Sequence, residues 1–129
     1  FLGEANIFEG VWKDGALALA DGSRILAPIH APTGADGAKG RCLVRPERIS
    51  ILAGGEPKST DLRPDNILFA RLTRRLFSGN WTTLFVERPG QTLRIGLANA
   101  APLAITEGDT VALAWSRENT VVLPMDSDP

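Results

Sequence analysis

Apolar residues come in short runs rich in Val, Ile, Leu, Phe and Thr, and no stretch of a dozen residues repeats them at intervals of three and four. Short runs punctuated by glycine and proline predict an all-β sandwich or barrel without long helices. In the first part of the chain the pattern predicts strands at Ile7–Trp12, Ala16–Ala20, Arg24–Pro28, Arg41–Arg45 and Ile49–Leu52. The second part predicts strands at Asn66–Phe77, Thr82–Glu87, Thr92–Leu97, Thr110–Trp115 and Thr120–Leu123. Asp21-Gly22, Gly79-Asn80 and Pro89-Gly90 supply tight turns, glycine accepting the positive φ that a reversal needs. Between the two parts, Ala53–Asp65 carries Gly54-Gly55, Pro57, Ser59-Thr60 and Pro64 and reads as a linker or long surface loop.

The two parts echo each other. Glu4-Ala5-Asn6-Ile7-Phe8 resembles Pro64-Asp65-Asn66-Ile67-Leu68, each opening a strand, and Ala20–Ile25 resembles Arg88–Leu93, each a turn feeding a strand. Val44–Leu52 lines up with Ala114–Leu123 if one residue is gapped. This pattern predicts two similar β units, about 1–53 and 64–125, joined by a loop. Units of roughly 50 to 60 residues are small for independent cores, so they are expected to pack together or exchange strands.

Composition narrows the function classes. A chain of 129 residues, 43% hydrophobic, can build one real core. Its 14 Lys+Arg nearly balance 15 Asp+Glu, so the long-range basic field that attracts phosphate backbones is missing and nucleic acid is not expected as a partner. No apolar run reaches the ~20 residues a bilayer-crossing helix needs. Cys42 is the single cysteine, which rules out an internal disulfide, suits a reducing cytoplasmic setting and reads as a small buried strand residue.

The search for catalytic or metal chemistry finds little. Gly34-Ala35-Asp36-Gly37-Ala38-Lys39-Gly40 has glycines without the Gly-Lys-Ser/Thr order of a phosphate-binding loop, and reads as a mobile loop. His30 is the sole histidine and is expected on the surface; no Gly-x-Ser-x-Gly elbow is present. Asn80-Trp81-Thr82 matches the glycosylation pattern but reads as a turn with an aromatic strand residue. Asp126 and Asp128 read as a solvated tail. No catalytic residue, cofactor site or metal site is assigned. In a regular strand Arg71 and Arg75 would share a face with Arg74 opposite, a charged strand that discourages edge pairing. Trp12, Trp81 and Trp115 are core or interface candidates.

Three stretches carry a family resemblance: Phe1–Gly10, Val44-Arg45-Pro46-Glu47-Arg48-Ile49, and Gly108–Trp115 with Val122-Leu123-Pro124. Together they resemble the TOBE domain that follows the nucleotide-binding domain in ATPase subunits of bacterial ABC importers of the spermidine/putrescine, ferric iron and maltose group. The resemblance implies an OB-like or MOP-like barrel spanning residues 1–129, acting as a non-catalytic regulatory and dimerisation domain. It implies as partners the ATPase domain of the same chain, a second copy of the subunit and, through the parent, membrane permease subunits at the cytoplasmic face of the inner membrane. ATP and Mg would belong to the parent subunit, whose Walker and signature segments are not in this sequence. Phe1-Leu2-Gly3 is not an initiator sequence, so the chain is expected to be cut from a longer one. A small polar solute, polyamine first, with ferric iron or a sugar behind it, would be the cargo.

Pro46 disfavours helix at Arg45, which should close a strand while Glu47 and Arg48 begin a turn. The Arg45 guanidinium could pair with a carboxylate, either as a strut within the turn or as a contact to another chain, so Arg45, Glu47 and Arg48 are the candidate interface or strut residues. The alternative to the regulatory reading is a module related to molybdate-binding barrels, in which an oxyanion sits between subunits. A hydrolase would need convergent titratable groups that the sequence does not supply.

Overall fold

The computed structural model describes residues 5–52, 65–98 and 105–124. Ten strands run through them: β1 (Asn6–Lys13), β2 (Ala16–Ala18), β3 (Arg24–Leu26), β4 (Lys39–Val44), β5 (Ser50–Leu52), β6 (Asn66–Ser78), β7 (Trp81–Arg88), β8 (Gln91–Ala98), β9 (Thr110–Trp115) and β10 (Val121–Leu123). Each expected strand is present. The only helical pieces among the described residues are two 3-10 turns, Pro46–Arg48 and Arg117–Asn119. None of the described helices is long and apolar enough to cross a membrane.

The strands form two antiparallel five-stranded sheets, in the orders β10-β4-β1-β2-β3 and β5-β9-β6-β7-β8. The orders correspond strand for strand once β1–β5 and β6–β10 are taken as two units, with one exchange. β5 leaves the first unit to pair with β9, and β10 leaves the second to pair with β4. The 3-10 turns make the crossings. Arg45 and Ser116, at φ/ψ of −75/145 and −75/143, enter them, and Ile49 and Thr120 leave them extended. Aligned on these turns, Val44 matches Trp115 and Leu52 matches Leu123 with no gap. The one-residue gap expected from the sequence is therefore removed, because hydrophobic pattern alone placed Val44 opposite Ala114.

A second reciprocal feature joins the units. Asn6, the first residue of β1, is buried at 4% exposure and lies against β8. Its Nδ2 donates to the Arg94 carbonyl at 2.8 Å and its Oδ1 accepts from the Arg94 N–H at 2.8 Å. Asn66, the first residue of β6, treats Leu26 of β3 in the same way, accepting at 2.7 Å and donating at 3.0 Å. Each amide imitates a peptide group and closes the outward-facing side of a terminal strand.

The core lies between the sheets and draws on both units. Phe8 of β1 stacks on Trp115 of β9 with ring centroids 5.8 Å apart and planes 17° from parallel. The Trp115 indole N–H donates to Thr120 Oγ1 at 2.8 Å, supplying the partner a buried tryptophan needs. Leu17, Ile25, Leu72, Val86, Leu93 and Ile95 fill the interior. The result is an all-β, OB-like barrel built from two similar units that share one core.

Replacing Asn66 with Ala is expected to strand the Leu26 N–H and C=O, costing about 2–4 kcal/mol, whereas Ile29→Ala, at 69% exposure, should change little. Urea unfolding of both variants checks this.

Candidate functional site

A concave region lies where the β2–β3 and β7–β8 turns meet the outer side of β1. A groove of about 640 Å3 is lined there by Ile7, Glu9, Leu19, Asp21, Arg88 and Gln91 among others. A neighbouring groove of about 440 Å3, bordered by Arg71, Glu87 and Thr92, shares the Arg88–Gln91 turn with it. Gly22 and Gly90 take φ of 92° and 77°, so both hairpins reverse tightly enough to bring their turns face to face.

Arg88 holds the two turns together. Its side chain is only 6% exposed and pairs with the Asp21 carboxylate, while Nη2 also reaches Ser23 Oγ at 3.4 Å. The Ser23 N–H donates to Asp21 Oδ1 at 2.9 Å. That backbone bond, helped by the Arg88 guanidinium, holds the Asp21 carboxyl below its ordinary value against the desolvation that raises it. Gln91 Nε2 donates to the Ile7 carbonyl at 2.6 Å, tying the second turn to β1. On the β1 side, Glu9 faces Arg41 of β4 at 3.5 Å. The groove thus offers two carboxylates, each matched by a guanidinium, an amide and an apolar floor. Such a lining suits a small polar ligand, and it presents no nucleophile with an adjacent base.

The residues singled out from the sequence are dispersed. Arg45, Glu47 and Arg48 are exposed on the first 3-10 turn, away from the groove lining. The turn itself is held by main-chain bonds, Arg48 N–H to the Arg45 carbonyl at 3.0 Å and Ile49 N–H to the Pro46 carbonyl at 3.3 Å. His30 is exposed. Cys42 is fully buried in β4, and burial pushes its thiol up to about 11. Asp126, Asp128 and all of the 53–65 segment except Asp65 lie outside the described residues. Among the described residues no cluster of three or more His, Cys, Asp or Glu could hold a metal ion.

Two expectations are corrected. The 34–40 loop is tied down: the Trp12 N–H donates to the Ala38 carbonyl at 2.8 Å, the Gly37 N–H to the Trp12 carbonyl at 2.8 Å, and the Asp14 N–H to Asp36 Oδ1 at 3.0 Å. Gly34 and Gly40 press on Trp12, a Cβ on Gly40 standing 2.3 Å from Trp12 Nε1, while Gly37 takes a φ of 91° with nothing close by. The arginine faces are also redistributed. A register shift between Leu72 and Arg74 puts Arg71 opposite Glu87 and Arg74 opposite Phe85 on the outer face, leaving Arg75 on the other side. Thr73 occupies the bulge and donates its Oγ1 proton to the Phe85 carbonyl at 3.0 Å. Along Asn66–Arg71 β6 pairs with both β9 and β7, whereas at Arg74 and Arg75 its ladder partner among the described residues is β7 alone, so these two arginines do stand on an edge segment. Of the three tryptophans expected in core or interface, Trp12 and Trp115 are core residues at 3% exposure, and Trp81, 42% exposed, is left as the interface candidate.

Arg88 and Gln91 were not singled out by sequence. Their turn was, through its likeness to Ala20–Ile25, but nothing local shows that the two equivalent turns touch.

The model for the TOBE domain matches residues 42–123, nearly two-thirds of the chain, taking in the second half of β4 and every strand from β5 to β10. The chain belongs to the TOBE domain family. A search of curated proteins by sequence returns no match. Among solved structures, this TOBE domain resembles the cytoplasmic molybdate-binding protein ModG in a form with molybdate bound, at TM-score 0.76 and 15% identity, covering 91% of this chain and 94% of that one. At that identity the likeness establishes the shared fold.

Because folding lowers the Asp21 pKa, the ionised carboxylate stabilises the domain above the ordinary value of 3.8 and stops doing so as pH falls through the lower folded value. Asp21→Asn keeps the acceptor for Ser23 and removes the charge. Its melting temperature should fall below that of the parent chain at pH 7 and converge on it as the pH drops beneath 3.8.

Proposed function

We propose that this TOBE domain is a non-catalytic module that binds a small ligand, an oxyanion of the molybdate type, and relays its occupancy to a partner. The observation that carries the reading is the fold likeness to molybdate-bound ModG, which extends over nearly the whole of both chains. The shared core supports it physically. With β5 and β10 exchanged, each unit holds a strand of the other, which gives a ligand bound at one unit a packed route to the other.

Within the described surface the groove at Arg88 is the site of choice. An oxyanion there would take the Arg88 fork in place of Asp21, with Gln91 beside it, and the two hairpin turns would separate or tighten accordingly.

Thermal unfolding tests the ligand. Molybdate at about a hundred times its Kd should raise the melting temperature by several degrees, with sulfate less effective, and Arg88→Gln should abolish that rise. Unchanged melting with molybdate, tungstate and sulfate would sink the oxyanion reading.

A second reading keeps the ligand open and makes the chain the regulatory and dimerisation domain of an importer ATPase, with ATP and Mg handled by the parent and the permease contacted through it. It is favoured by the family match, which includes both 3-10 turns and the Arg45-Pro46-Glu47-Arg48 element with its three exposed charged residues. On this reading Arg45, Glu47 and Arg48 contact a second copy. Sedimentation equilibrium should then show a dimer that Arg45→Ala weakens. A monomer at every concentration would remove self-association from the properties of this chain.

A further inference from the structure

The second unit carries an extension that the first lacks. β6 has 13 residues where β1 has 8, and β7 has 8 where β2 has 3. β9 pairs with β6 as far as Arg71, and Leu72 still bonds the Asp109 carbonyl and the Gly108 N–H, so Thr73–Ser78 continue beyond them, backed among the described residues by β7 and β8. The end of this three-stranded extension is apolar on both faces. Leu76 (45% exposed) and Trp81 (42%) stand on the outer face, and Phe77 (68%) stands on the side that continues the core. The Trp81 indole lies over Gly96, where a Cβ would come within 2.8 Å of Nε1.

Behind the apolar end lies positive charge. Residues 66–98 hold five arginines and one glutamate, a net of +4 in a chain whose total is −1, so the balance elsewhere is negative. Arg74 of β6 and Arg94 of β8 flank Phe85 of β7, each guanidinium carbon 5.5 Å from the ring centroid. Arg71 lies one step further from the tip, partly matched by Glu87 at 3.8 Å.

We propose that the β6–β7 hairpin end docks on an anionic bilayer surface, with Phe77, Leu76 and Trp81 entering the interface and Arg74, Arg75 and Arg94 meeting acidic headgroups. Aromatic side chains favour the interfacial zone, and basic residues just behind them gain from a negative leaflet. A flat protein partner would cover one face of the hairpin, whereas apolar groups on both faces call for a medium that surrounds the tip. Single-stranded nucleic acid would need exposed rings side by side on one face, whereas Phe77 and Trp81 stand on opposite faces and the Phe85 ring already carries guanidinium groups from both neighbouring strands. The proposal does not depend on the oxyanion reading.

Co-sedimentation of the 129-residue chain with vesicles tests it. The chain should pellet with phosphatidylcholine vesicles holding about 30 mol% phosphatidylglycerol, and hardly at all with phosphatidylcholine alone, and added salt should release it. Trp12 and Trp115 are buried, so a blue shift of tryptophan emission on binding reports Trp81. Phe77→Ser should weaken binding at least about ten-fold, and Arg74→Gln about five-fold, with circular dichroism melting showing that both variants fold. No binding to acidic vesicles, or binding that neither substitution changes, overturns the proposal. So does capture of an oligothymidylate by a chain that ignores the vesicles.

Discussion

The structure depends on two buried amides, Asn6 and Asn66, that each satisfy a backbone N–H and C=O in the opposite unit. A terminal strand exposes unpaired main-chain groups, and a three-residue strand such as β3 has few other bonds to hold it. The Asn66 amide supplies the missing partner at β3, and Asn6 does so at β8. These bonds connect the first residue of one unit to the third strand of the other, so they form only when both units are present and correctly opposed. The exchanged strands impose the same condition. β5 and β10 have three residues each and are ordered by sheets that belong, in chain order, to the other half. Neither unit is a complete structure alone, and the shared Phe8–Trp115 core follows from that.

Where the two units depart from each other, the departures are informative. At the matched ends of the 3-10 turns, Ile49 is replaced by Thr120, and the Thr120 hydroxyl accepts the Trp115 indole N–H at 2.8 Å. The aromatic matched to Val44 therefore brought a polar companion with it. At the matched turns Arg88 stands where the first unit has Ala20, and Asp21 where the second has Pro89, so the two turns are joined by one ion pair where a strict repeat with the same two residues would make two.

Much of this was legible in the sequence. All ten strands followed from alternation and turn residues, because a sheet with one buried face writes its period directly into the chain. The repeat was visible too, and Asn6 and Asn66 stood at matching places in it. What could not be read was the purpose of the amides: two strand-opening asparagines are indistinguishable from solvated ones until the opposite edge is known. The bulge at Thr73 was hidden for a related reason. It adds one residue to β6 without disturbing the apolar pattern of Leu68, Ala70 and Leu72, yet moves Arg74 to the face of Arg71. The contact of Arg88 with Asp21 spans 67 residues and depends on how two sheets lie, which no local pattern encodes. The glycine loop misled because glycine marks both mobility and close approach, and here the approaching group is Trp12.

The distribution of charge follows from the same constraint. The core and the amide clamps restrict both units along β1, β3, β6 and β8, and substitutions there must preserve fit in two directions at once. The hairpin extension beyond β9 is outside that restriction: Leu72 and Leu84 anchor its base in the core, but Leu76, Phe77 and Trp81 contribute little buried area to it. Exposed apolar side chains at such a place do not help the domain fold, and they raise the risk of association between chains. Arginines beside them offset that risk by keeping the surface charged, and also give the region a sign opposite to that of the chain as a whole. A surface whose apolar content serves no core and whose charge opposes the average of its own chain is shaped by what it meets outside the molecule.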